Sequence, residues 1–124
     1  MFSGSNLIAS SPGQAILNSL HENAKWTVTG SSLFAGTYHS KEEYHTKVLS
    51  KIHGKTGPGM TAKLCKVLAD DQWAAVYFFT ENAQGWDSFN FNMDYCWFLK
   101  VVGDQVVEVI AFPDSNKLIG LFSG

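Results

Sequence analysis

The second half of the chain is written as four strand-like runs, over 61–68, 73–80, 89–101 and 106–112, rich in β-branched and aromatic residues. Turn signals at Asp70-Asp71, residues 82–87 and Gly103-Asp104 separate them. Runs joined so briefly can pair only with their neighbours, which predicts an antiparallel meander. The first half has another period. Ser40-Lys41-Glu42-Glu43 is a capping box, in which the Ser40 hydroxyl accepts from the Glu43 amide and the Glu43 carboxylate reaches back to the Ser40 amide. Behind it Tyr44, Val48, Leu49 and Ile52 recur at helical spacing, with Lys41, Lys47 and Lys51 on other faces. A shorter helix is predicted over 12–22: Ser11 precedes Pro12, Ile16, Leu17 and Leu20 form a stripe, and His21 ends it where a cation suits the dipole. Residues 26–29 then alternate as a strand that stops at Gly30-Ser31-Ser32. The order helix, strand, helix, four strands predicts an α+β fold with helices on one face of an antiparallel or mixed sheet.

A chain of 124 residues suits a single domain spanning 1–124, and four Trp, four Tyr and nine Phe supply a core with material left to line a cavity. The net charge of −2 carries no run of either sign, so neither nucleic acid nor an acidic membrane surface is expected as a partner. All the cations are Lys, and without Arg a heavily anionic substrate is disfavoured. Cys65 and Cys96 lack metal or redox spacing and read as small buried hydrophobes. His21, His39, His45 and His53 lack the paired spacing of a metal site, and neither metal nor cofactor is expected. Residues 54–59, GKTGPG, read as a loop because the phosphate-loop spacing is missing. No leader or membrane-spanning run is read, and a cytoplasmic location is the default expectation.

Two stretches carry a resemblance. TVTGSSLFAGTYHSKEEYHTKVLSKI, residues 27–52, resembles the strand-loop-helix of SnoaL-like and ketosteroid-isomerase-like proteins, which share the nuclear-transport-factor-2-like, cystatin-like fold. YCWFLKVVGDQVVEVIAFPD, residues 95–114, resembles their last hairpin. The resemblance implies a curved sheet wrapped on helices as a cone, with an apolar pocket on its concave face. It also implies a first helix that lids the pocket, here shortened to Met1–Ser10 or supplied by a partner subunit. The enzymes of this family hold an acid or base in an apolar pocket that shifts its pKa.

Alternation puts Phe91, Met93, Tyr95 and Trp97 on one face of their strand, and Asn90, Asn92, Asp94 and Cys96 on the other. Trp26 and Val28, with Val109 and Ala111 on the last strand, complete the expected ligand-binding wall. The resemblance places Trp97 where the isomerases keep their oxyanion-stabilising acid, Ala111 where epoxide-hydrolase relatives keep theirs, and Thr or Gly of 26–30 where a general base stands. Those chemistries are therefore disfavoured. The catalytic candidates that remain are His39 before the capping box, Tyr95, and Asp94 if a bulge turns it inward. The inner face of 73–80 is left open, because both faces are apolar and carry Tyr77 or its neighbours. Two functions follow: a SnoaL-like enzyme that isomerises, cyclises or dehydrates an apolar polyketide- or terpenoid-like compound, or a non-catalytic module that binds an apolar ligand or forms a homodimer through the outer face.

Overall fold

The computed structural model describes residues 18–56, 61–85 and 89–122. The strands are β1 (Leu20–Val28), β2 (Gly36–Tyr38), β3 (Thr61–Asp70), β4 (Trp73–Glu81), β5 (Asp94–Val102) and β6 (Gln105–Phe112). Helix α1 runs without a break through α-helical Lys41–Tyr44, π-helical His45–Leu49 and α-helical Ser50–His53, and α2 spans Ser115–Leu121. The strands form one open, curled sheet in the order β2-β1-β6-β5-β4-β3. The meander expected of the second half is present as three antiparallel pairings, β3–β4, β4–β5 and β5–β6. The fold is α+β as expected, with the sheet mixed: β1 pairs with β6 in parallel, Trp26 beside Val109 and Val28 beside Ala111.

Four elements differ from expectation, the first being the short strand β2, which was not expected between Gly30 and the capping box. The helix over 12–22 is corrected at its described end: Asn18 and Ser19 are helical, but the chain is strand from Leu20, so His21 lies within β1 and its Nδ1 accepts from the Asn23 amide at 3.0 Å. Burial of Leu20 and Ala24, with Leu20 laddered beside Val106, outweighs a weak local helix preference. The remainder of that helix, the N-terminal lid and part of the 54–59 loop lie outside the described residues. β5 begins at Asp94 rather than near 89, where side chains take backbone amides instead: Asn90 Oδ1 accepts locally from Asn92 N (3.0 Å), and Asn92 Oδ1 accepts from Ala83 N of the preceding segment (2.9 Å). α2 was not expected; Asp114 caps it by accepting from the Asn116 and Lys117 amides.

The capping box forms with a wider reach. Ser40 Oγ accepts from the Glu43 amide at 3.0 Å, and the Glu43 carboxylate accepts from the His39 amide at 2.7 Å, one residue before the expected partner. Glu43 also takes Lys47 Nζ at 3.1 Å, and the His39 amide, followed by this bond, lowers the pKa of its carboxyl. Tyr44 and Val48 of α1 are buried, with Leu49 and Ile52 packed beside them, so α1 lies on one face of the sheet. After β1 the chain turns at Gly30, whose φ of +93° and contact with Ser115 leave no room for a side chain. The Ser31 amide donates to Ser115 Oγ at 3.1 Å, tying this turn to α2.

Candidate functional site

Residues paired across a ladder share a face, so register assembles the inner face row by row. Tyr38, Trp26, Val109, Leu99 and Ala74 form one row across five strands, and Val28, Ala111, Trp97 and Val76 the next. Tyr95 and Phe78 follow, and Phe91 and Met93 lie buried beyond them. This settles β4: Ala74, Val76, Phe78 and Thr80 point in, while Tyr77 and Glu81 are exposed.

The rings on this face make a continuous chain of contacts. Tyr38 meets Tyr44 edge-on at 6.1 Å, and Tyr44 stacks on Trp26 at 3.8 Å and 15°. Trp26 meets Trp97 edge-on at 5.1 Å, Trp97 meets Phe78 at 5.0 Å, and Phe78 stacks on Tyr95 at 4.7 Å and 2°. Each such pair contributes about 0.5–1.5 kcal/mol beyond burial of its area. Trp26 Nε1 is buried within this lining and has no hydrogen-bond partner.

The ionisable groups of the lining are phenols. Burial pushes the Tyr44 hydroxyl far above the ordinary phenol range, with nearby Tyr95 and Tyr38 adding to the shift. Burial does the same to Tyr95, partly offset by a hydrogen bond with Thr80, and raises Tyr38, whose hydroxyl donates to the Phe34 carbonyl at 2.7 Å. All three carry their protons near neutral pH. The segment where an isomerase base would stand is occupied structurally: Thr29 Oγ1 donates to the Ala111 carbonyl at 2.9 Å.

The sequence candidates separate by face. Tyr95, Trp97, Trp26, Val28, Phe91, Met93, Val109 and Ala111 come together on the inner face. Asp94 is exposed on the outer face, in unbroken register with Phe79, and its Oδ1 accepts from Tyr77 OH at 2.9 Å. His39 is an exposed loop residue before α1. Cys65 is exposed rather than buried, at the β3 register shift between Leu64 and Lys66, and Cys96 is half-buried on the outer face. β3 is the edge strand, and Lys63, Leu64 and Lys66 on either side of Cys65 are exposed as well. Sequence reasoning missed Tyr44 and Phe78. Tyr44 was visible only as a member of the packing stripe of α1, and nothing in that stripe marks which ring will stack on a tryptophan.

The outer face is also apolar, and no described element covers it. Ile110, Phe98, Ala75 and Leu68 form its central row, with Phe112, Cys96 and Tyr77 beside it. Trp73, Tyr77, Phe98 and Phe112 are exposed, and a charged row of Lys25, Glu108 and Lys100 borders them, Lys25 and Glu108 3.6 Å apart. Among the described residues no helix is long and apolar enough to cross a membrane.

Comparison with solved structures identifies the architecture. Over the whole of both chains the protein superimposes on an NTF2-like protein of Burkholderia thailandensis with a TM-score of 0.76 at 17% identity. Over 95% of this chain and 86% of the other it matches a protein of ketosteroid-isomerase-like fold from Catenulispora acidiphila, solved in complex with trimethylamine (TM-score 0.67, 7% identity). TerC, co-crystallised with polyporic acid, matches over 90% of this chain and 85% of its own (TM-score 0.71, 14% identity). No protein-family model matches the chain, and no curated protein does. At these identities the likeness is one of fold.

Proposed function

We propose that this NTF2-like fold serves as a binding module for a small apolar, ring-containing compound, held on the inner face against the aromatic lining of Trp26, Tyr44, Trp97 and Tyr95. Val28, Met93, Val109 and Ala111 supply the aliphatic walls, and Phe91 the floor. The carrying observation is the character of the lining: stacked rings whose ionisable groups are phenols kept protonated by burial. A general acid or base works best with a pKa near the working pH, and phenols held this high work poorly as either. This weighs for the binding module over the SnoaL-like isomerase, cyclase or dehydratase. Of the catalytic candidates, Tyr95 is the one on the ligand face, and a reaction at this site would use its proton; His39 and Asp94 stand elsewhere. That TerC, which is similar in fold, was co-crystallised with polyporic acid supports a ring-containing small molecule as the kind of ligand taken here.

The row of half-buried Ile110 and exposed Phe98 and Leu68 supports a second role for the opposite face, pairing two copies of the chain as a homodimer.

The test is a panel of polycyclic and terpenoid enones and alcohols incubated with the protein, then extracted and analysed by mass spectrometry and proton NMR. Several compounds should be retained and come back unchanged. A product that disappears in Tyr95→Phe would replace the binding role with an enzymatic one.

A further inference from the structure

Buried indole N–H groups ordinarily find an acceptor, and an orphan calls for a reason. Trp26 Nε1 is such an orphan, on a side chain only 1% exposed. Its surroundings offer little: the Tyr44 ring covers its face at 3.8 Å, the Trp97 ring meets it at 5.1 Å, and its ladder neighbours are Tyr38 and Val109. Lys and the carboxylates of the neighbouring strands, Lys25, Glu108, Lys100 and Asp94, are on the outer face, so a charged ligand would find no counter-charge among these inner rows. What this face holds ready is a donor in dry, aromatic surroundings.

Resting on the ligand-binding reading above, we infer that Trp26 Nε1–H is the polar anchor of the ligand site, and that the ligand is an uncharged, planar, conjugated compound whose carbonyl-type oxygen accepts from it. The rings give sequence-independent affinity for a flat hydrocarbon; the indole selects one that carries an acceptor. The ligand oxygen approaches in the plane of the indole, where Nε1–H points, beside the Tyr44 ring that stacks on the indole face; Tyr44 stands where α1 changes from α to π hydrogen bonding, a feature that recurs at functional sites.

The test compares 9-fluorenone with fluorene, flat molecules of near-identical shape that differ in the carbonyl oxygen. Affinities are measured by equilibrium dialysis for the wild-type protein and for Trp26→Phe, which keeps a stacking ring and loses the N–H. The ratio of fluorenone to fluorene affinity should fall by roughly three- to tenfold in the variant, the value of one net hydrogen bond. In the wild-type protein the Trp26 indole proton resonance should move downfield with fluorenone and not with fluorene, a readout that decides the matter if the variant fails to fold. Both compounds binding with an unchanged ratio, or an indole proton indifferent to fluorenone, overturns the inference and leaves the binding module standing; that outcome would mean the N–H rests on the Trp97 ring. Failure of both compounds to bind the wild-type protein overturns the binding module itself.

Discussion

Phe78 and Tyr77 are adjacent aromatic residues on one strand, yet Phe78 is 3% exposed and stacked on Tyr95 while Tyr77 is 42% exposed and bonded to Asp94. The two faces of the sheet differ in the same way throughout. Both are rich in rings, and rings meet on both, Phe98 and Phe112 edge-on at 5.6 Å on the outer one, but the inner face lies under α1 whereas no described element covers the outer one, which a row of charge borders. Alternation assigns a residue to a face; only the elements packed above that face decide whether it is buried.

The largest expected contrast is in stability. Trp26→Ala removes a buried ring that stacks and packs, and should cost about 3–5 kcal/mol in urea unfolding, whereas Phe98→Ala on the outer face should stay within about 0.5 kcal/mol when measured in dilute solution. Equal losses would break the distinction between the faces. Next comes association. If the outer face pairs two copies, Phe98→Lys should weaken the dimer by about 2 kcal/mol or more in sedimentation equilibrium without lowering the melting temperature of the dilute protein. A wild-type protein that stays monomeric at high concentration would make that face merely exposed.

The smallest effect is in the alkaline limb of stability. Tyr44 and Tyr95 are raised above the ordinary phenol value of 10.0 by burial, so above that pH the unfolded chain gives up protons that the folded one keeps. Their contribution is complete below pH 10 and is lost as pH rises beyond it, with a slope of up to about 1.4 kcal/mol per pH unit for each phenol. Tyr44→Phe and Tyr95→Phe should each flatten the limb, and Tyr77→Phe should change it least, since water screens its bond to Asp94. Urea midpoints between pH 8 and 11 read the difference.

Much of this was legible in the sequence because it is local. The period of two placed Phe91, Met93, Tyr95 and Trp97 on one side and Asn90, Asn92 and Asp94 on the other, and the capping box marked the start of α1 at Ser40. β4 resisted because Trp73, Tyr77 and Phe79 are as apolar as their inward neighbours, and only the ladder to Trp97 and Tyr95 separates them. The stacking of Tyr44 on Trp26 and the parallel pairing of β1 with β6 join residues far apart in the chain, and no local pattern encodes such a partner. α2 could have been read from Asp114 followed by Leu118 and Leu121, a cap ahead of an apolar stripe.

The parallel ladder of Val28 to Ala111 has a consequence during biosynthesis. On the ribosome the β1 segment emerges more than a minimal hairpin's length ahead of the strand that will flank it, and its edge toward β6 stays unzipped until translation has passed Phe112. Closing so long a loop is slow compared with forming the meander. Nascent chains stalled short of β6 should therefore leave the Trp26 indole open to solvent and to chaperones, and the last register to lock would be the one that completes the inner face.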